Sequence, residues 1–415
     1  MSANKSNSKF NRSKKSPLPR WTVIIGAVLI QTCLGAVYAW SLFNDPLMDK
    51  FGWDKESVVM TFSIVICTFA FSTVIAGRMQ DVLGPRIVAL LGGLLLGDGL
   101  ILASRATEIW HLYICYGVIG GIGIGTAYVT PIATCVKWYP DKRGFIAGIA
   151  VVGMGLGGIV FKPIIMKLVQ AVGVSPTFFY LGVIYAVVIM VGAQFLRLPP
   201  KGYQPPGWRR PVMRAAMDFS TAQMLRTKQF YTLWFMYFLG CASGLIVISI
   251  AVNIGTEYVG IPAATAAYAV VAIAVANAAG RPFWGMVSDR LGRMNSLVVI
   301  YLITSIMMFY LAMGGMGAAM FFVTMTLIGF GYGGFLSIFP SISADYYGTK
   351  YIGMNYGLLY AAWGASAFVG PFLRNFVTLQ HSFFIAGVLS MLAVIAAYSM
   401  KHPIIKENFM PTVAA

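Results

Sequence analysis

The chain contains about twelve apolar runs, each on the order of 20 residues, and few folds can accommodate them. They fall at residues 21–43, 57–76, 87–103, 109–136, 144–168, 177–196, 230–252, 263–284, 296–313, 317–338, 355–377 and 382–400. A helix of ~20 apolar residues crosses the hydrocarbon core of a bilayer, which is roughly 30 Å thick. The runs do not alternate apolar and polar residues as barrel strands do, so helices must satisfy their backbone in lipid. The expected fold class is therefore an all-α membrane protein with twelve transmembrane helices. Composition agrees: 58% of the 415 residues are hydrophobic and 10% are charged, whereas an ordinary soluble domain carries about 25% charge. A soluble multi-domain protein is excluded.

A basic stretch, residues 197–228, separates the runs into two groups of six. It holds five prolines and seven Lys or Arg against one acid, Asp218. The expected organisation is a tail over 1–20, an N-terminal six-helix bundle over 21–196 and a central loop over 197–229. A C-terminal six-helix bundle over 230–400 and a tail over 401–415 complete it. The first run is longer than the 7–15 apolar residues of a signal peptide and reads as an uncleaved span. A net charge of +17 would suit a nucleic-acid partner, but the basic residues sit in loops between the spans. They cluster in the N-terminal tail, in loops after even-numbered spans, in the central loop and in the C-terminal segment. That is the positive-inside pattern, and it places both termini and the central loop in the cytoplasm. A multi-pass protein of the cytoplasmic membrane is expected, with the bilayer rather than nucleic acid as its partner.

Few charges sit within the apolar runs, and one of them stands out. Arg281 lies inside the eighth span, where a cation costs ~2.5–3.5 kcal/mol on insertion scales and normally faces a cavity or a counter-charge. It reads as the group that holds an anion in a transport path. Just beyond it, Gly285, Asp289, Gly292 and Arg293 form a G-x-x-x-D-x-x-G pattern followed by a basic residue. The same pattern follows the second span as Gly77, Asp81 and Gly84, with Arg86 after Pro85. Glycine lets helix ends approach closely, and the acid can cap a helix or pair with an arginine. Two copies in equivalent places mark an internal repeat and a conformational motif. The five cysteines lie in apolar runs without metal spacing and read as packing residues. The glycine runs 117–125 and 153–158 lack the Lys-Ser/Thr of a phosphate loop, so they read as close helix contacts and nucleotide binding is not expected.

With these residues in place, the chain resembles the major facilitator superfamily: two pseudo-symmetric six-helix bundles, with a site between the halves near the midplane. It is similar in particular to the oxalate:formate antiporter family, related to monocarboxylate transporters. The resemblance rests on Tyr38 and Trp40, the stretch Lys137 to Gly144, Arg281 to Gly285, Phe339 and Pro340, and Asn355 to Gly357. In the family's oxalate carrier an Arg in span eight and a Lys in span eleven hold the dianion. The Arg matches Arg281. The Lys position, eight residues beyond Asn355, is Trp363 here. One cation balances a monocarboxylate and grips it through two parallel N–H···O bonds, whereas a dianion keeps an uncompensated charge. The resemblance further implies that Tyr38, Tyr128, Tyr332 and Tyr360 line the site.

The expected function is secondary active transport of small monocarboxylates (lactate, pyruvate or formate class) by alternating access, as proton symport or anion exchange. The chain is not expected to be an enzyme, needs no cofactor or metal, and reads as a working monomer. The alternatives are an oxalate:formate-type antiporter and, in another class, a membrane sensor that binds a small carboxylate without moving it. Asn277, one turn before Arg281, either contacts the substrate, orients Arg281 or links helices. Two further charges are candidates for coupling. Asp98 is either a proton carrier or faces the outer cavity, and Lys162 is either a second cation near the path or reaches to the interface.

Overall fold

The computed structural model describes residues 19–200, 202–208, 218–369, 376–401 and 403. Most of both expected tails and residues 209–217 of the expected central loop lie outside the described residues. The principal helices, in chain order, are α1 (Thr22–Phe51), α2 (Lys55–Leu83), α3 (Pro85–Ala103), α4 (Ile109–Trp138), α5 (Arg143–Val172) and α6 (Val174–Phe195). They continue as α7 (Lys228–Ile248), α8 (Ala263–Leu291), α9 (Arg293–Met313), α10 (Ala318–Tyr347), α11 (Ile352–Ser366) and α12 (Leu379–Ser399). Among the described residues, eleven are long and apolar enough to cross a membrane. The exception, α11, has 15 residues, and part of the run expected there lies outside the described residues.

Local chemistry sets where these helices stop. Asp54, Thr227 and Thr378 accept the first free backbone N–H groups of α2, α7 and α12, which would otherwise have no partner at a helix start. Gly84 (φ 85°) and Gly292 (φ 90°) turn the chain between α2 and α3 and between α8 and α9. A side chain resists that left-handed region, so the last glycine of each repeated motif is a turn residue.

The packing is paired in a way that repeats between the halves. In the first half α1 packs on α5, α2 on α4, and α3 on α6; in the second, α7 packs on α11, α8 on α10, and α9 on α12. The largest contacts between the halves are α2 with α11 and α5 with α8; α5 also touches α10, and α4 touches α10 and α11. Most of the runs 117–125 and 153–158 make the close contacts expected of them. Gly121 and Gly125 press on the α2 backbone, Gly123 on α3, and Gly153 and Gly157 on α1.

Candidate functional site

Arg281 stands two-thirds of the way along α8 and is 2% exposed. Its Nε donates to the Asn277 side-chain oxygen at 3.0 Å, and its Nη1 donates to the backbone carbonyl of Val151 on α5. Asn277 therefore orients the guanidinium, one of the roles left open by the sequence. Among the described residues no carboxylate pairs with Arg281. Further along α5 the wall is bare: a Cβ on Gly155 would lie 3.7 Å from the guanidinium carbon, and one on Gly158 would meet nothing within 4 Å. A buried cation with donor positions to spare and open space alongside can take an anion.

Aromatic residues from both halves close round this point. Tyr360 of α11 stacks on Trp363 with ring centroids 5.2 Å apart and lies 4.5 Å from Tyr128 of α4. The Trp363 indole N–H donates to the Tyr332 hydroxyl on α10 at 2.7 Å. Trp363 and Tyr332 are 3% and 5% exposed, while Tyr38 on α1 is 44% exposed and lines open space. Tyr38 lies on a 3₁₀ stretch, Ala36–Phe43, within α1; such tightened turns inside longer helices recur at functional sites. Arg281 lies within electrostatic range of Tyr38, Tyr128 and Tyr332. The structure thus gathers all seven residues expected to bind substrate: Arg281, Asn277, Tyr38, Tyr128, Tyr332, Tyr360 and Trp363.

Asp98 is not among them. It is exposed on α3 together with Leu91, Leu94 and Leu102, which at 100° per residue form one stripe along the helix. The face of α3 that packs carries Gly92, Gly93, Gly97 and Gly99 instead. Asp98 therefore points out of the bundle, and neither of its expected roles at the path fits that face. Lys162 is exposed as well, but on the side of α5 that faces α8.

The repeated motif closes the end of the molecule that carries the basic loops. The Asp289 carboxylate accepts the backbone N–H groups of Gly144 and Phe145, at the start of α5, at 2.9 Å each. Asp81 does the same for Gly353 and Met354 at the start of α11, at 3.2 and 3.0 Å. Each motif acid thus caps a helix of the other half, where the positive end of the helix dipole favours it. The motif glycines allow the approach: a Cβ on Gly285 would run into the Gly144 carbonyl, and one on Gly77 into the Gly353 carbonyl. Around the second cap, Arg293 pairs with Asp289 at 2.7 Å and with Asp345 at 2.9 Å, and Arg143 pairs with Asp345 at 2.7 Å. Around the first, the cation is Lys137, 3.5 Å from Asp81. Arg86 departs from the expected motif role and instead donates to the Gln194 carbonyl on α6. Pro85 occupies the place that Arg293 holds in the other copy, and a one-residue offset turns a helical side chain by ~100°.

Sequence patterns had no way to reveal Asp345 or the Val151 carbonyl. Asn355, part of the family resemblance, holds the chain rather than a ligand: its side chain bonds the Phe219 carbonyl and the Thr221 hydroxyl. Asp218 accepts the backbone N–H groups of Thr349 and Lys350 nearby, so residues 218–221 clasp the α10–α11 turn. Asp289→Ala leaves the two α5 N–H groups without an acceptor, at about 1–3 kcal/mol for each buried unsatisfied group. A cysteine at Ala147, which is 0% exposed, then reacts at least about tenfold faster with a soluble thiol reagent, since 1.4 kcal/mol is a factor of ten.

The comparisons with known proteins agree with this architecture. A family model for the Major Facilitator Superfamily matches residues 21–253 and 233–409. The chain is 32% identical to an uncharacterized MFS-type transporter, YhjX, of Escherichia coli K12, over 83% of this chain and 85% of that one. It is 29% identical to the oxalate:formate antiporter of Oxalobacter formigenes, over 94% and 93% of the two chains. A solved structure of the human organic anion transporter MFSD10 superposes with a TM-score of 0.68 at 15% identity, covering 92% and 100%. At that identity the structural likeness speaks to the fold alone.

Proposed function

We propose, from the premise that the chain belongs to the Major Facilitator Superfamily, that it carries small monocarboxylates of the lactate, pyruvate or formate class across the cytoplasmic membrane. The observation that carries the reading is Arg281, buried mid-helix with no acid among the described residues to neutralise it. A carboxylate supplies the missing charge and takes two parallel N–H···O bonds from the guanidinium. Opposite, Trp363 fills the place of the second cation, and its N–H is engaged by Tyr332. A dianion would keep one charge uncompensated in a cavity of low dielectric, which is costly.

Alternating access follows from the two halves rocking about this site. With the basic loops in the cytoplasm, the motif caps hold the cytoplasmic end shut while the Gly158 face of α5 stays open. Exchange of one anion for another is the mode this supports best. Asn277 does not titrate, and Asp98 lies on the outward face of α3, so among the described residues no carboxylate accompanies Arg281 to carry a proton. The second reading, oxalate:formate-type exchange, draws support from the 29% identity to that antiporter.

The test is uptake of labelled lactate, pyruvate, formate and oxalate into proteoliposomes, with and without a pH gradient and with each anion preloaded inside. The expected result is uptake of a monocarboxylate accelerated by internal anion and indifferent to the pH gradient. Preferential uptake of oxalate would overturn the substrate class.

A further inference from the structure

The side of α5 that faces α8 can be followed residue by residue from the motif end outward. Gly144 abuts Gly285, Gly148 abuts the Arg281 backbone, and Gly155 lies beside Ala278 and the guanidinium of Arg281. Beyond Gly155 the two helices part, and a Cβ on Gly158 would meet nothing within 4 Å. Val271, seven positions before Ala278 and on the same stripe of α8, is 59% exposed. Past Ile159, which edges that side of α5, comes Lys162, seven positions past Gly155 and so almost two turns on, ~10.5 Å along the axis. It is exposed, and among the described residues no acid pairs with it.

Direction matters as much as position. Helical side chains lean towards the N-terminus of their own helix, over the turn before them. In α5 that direction leads from Lys162 over Gly158 and Gly155 towards Arg281. A lysine side chain reaches roughly 6 Å back along this side, past the edge of Ile159 and over the bare Gly158 and Gly155 towards the guanidinium. A cation in this place, uncompensated and in a narrowing cleft, raises the local anion concentration and the rate of capture.

We propose that Lys162 is the outer receiving station of the path: it draws a carboxylate from the external solution and delivers it to Arg281. The inference rests on the carboxylate reading above and adds a second, sided anion site supplied by α5. It predicts a station that governs capture rather than turnover. Lys162 is exposed where Arg281 is buried, so water screens its charge and it does not balance a dianion seated at Arg281.

The experiment measures initial uptake of labelled lactate, or formate if lactate is not carried, by right-side-out vesicles at about 10 mM and about 150 mM salt, where screening lengths are ~30 and ~8 Å. Lys162→Gln should raise the external KM roughly tenfold at low salt with Vmax kept. It should also flatten the dependence of KM on salt, and Lys162→Arg should restore both. Efflux KM, read from the inside, should not move. An unchanged KM and salt slope, or a fall in Vmax that Lys162→Arg does not rescue, would overturn the station. Should the polar substitutions misfold, Lys162→Cys modified after insertion gives the same test. A cationic thiosulfonate should restore the low KM and an anionic one raise it further, with the unmodified Lys162 protein as control for the five native cysteines. Wild-type protein that carries none of the monocarboxylates sinks the carboxylate reading and the station together. Uptake that is indifferent to position 162 sinks the station alone.

Discussion

Arg281→Ala abolishes carboxylate uptake, by at least about 100-fold, in protein that inserts and purifies normally. The size follows from what the guanidinium does when substrate binds: two charge-assisted hydrogen bonds, each worth about 1.5–3 kcal/mol, disappear together. Stability moves the other way. A buried cation whose partners among the described residues are the Asn277 oxygen and the Val151 carbonyl is a liability in the empty protein. The alanine variant therefore melts no lower than the parent, while stabilisation by added substrate, present in the parent by mass action, is lost. Arg281→Lys keeps the charge but not the planar fork, and should retain uptake with KM raised about 10- to 100-fold. Uptake undiminished in the alanine variant, or a collapse of its melting temperature, would move the binding function elsewhere.

Trp363→Lys turns the preference towards dicarboxylates. The substitution places a second cation on α11 beside the Tyr332 hydroxyl, which the Trp363 indole engages at 2.7 Å. It also unstacks Tyr360 and leaves room where the ring stood. With two cations facing the cavity, a dianion is balanced and a monoanion leaves one of them bare. The ratio of oxalate to formate uptake should rise by at least about tenfold, equivalent to 1.4 kcal/mol, in side-by-side competition on the same vesicles. An unchanged ratio with uptake intact would mean that position 363 does not read the substrate's charge.

What the sequence made legible were features that depend on one segment at a time. The apolar runs mark the helices, because length and hydropathy alone decide whether a segment crosses lipid. Arg281 stood out because a cation inside such a run is expensive wherever it points. The face that Asp98 occupies was within reach too: Leu91, Leu94 and Leu102 fall on the same side at helical spacing, and that stripe marks the residue as turned out of the bundle. Features that needed two segments were hidden. The amides that Asp289 and Asp81 accept lie 145 and 272 residues away along the chain. Asp345 joins Arg143 to Arg293 with no local pattern to announce it. Asn355 looked like part of a substrate motif, yet its partners are in the central segment at Phe219 and Thr221. The two motif copies read alike on paper, but Pro85 rotates Arg86 away, so one copy draws its cation from α4 instead.

The two motif carboxylates grip main-chain amides rather than side chains. The groups at residues 144, 145, 353 and 354 that they hold are present whatever amino acid is encoded there, proline excepted. The caps themselves therefore make no demand on the side chains at 145 and 354, though Phe145 also packs against the core. Selection on closure falls on the acids and on the glycines that let two backbones touch. A transporter built this way can be retuned for a new cargo at its centre while its hinge chemistry is inherited unchanged.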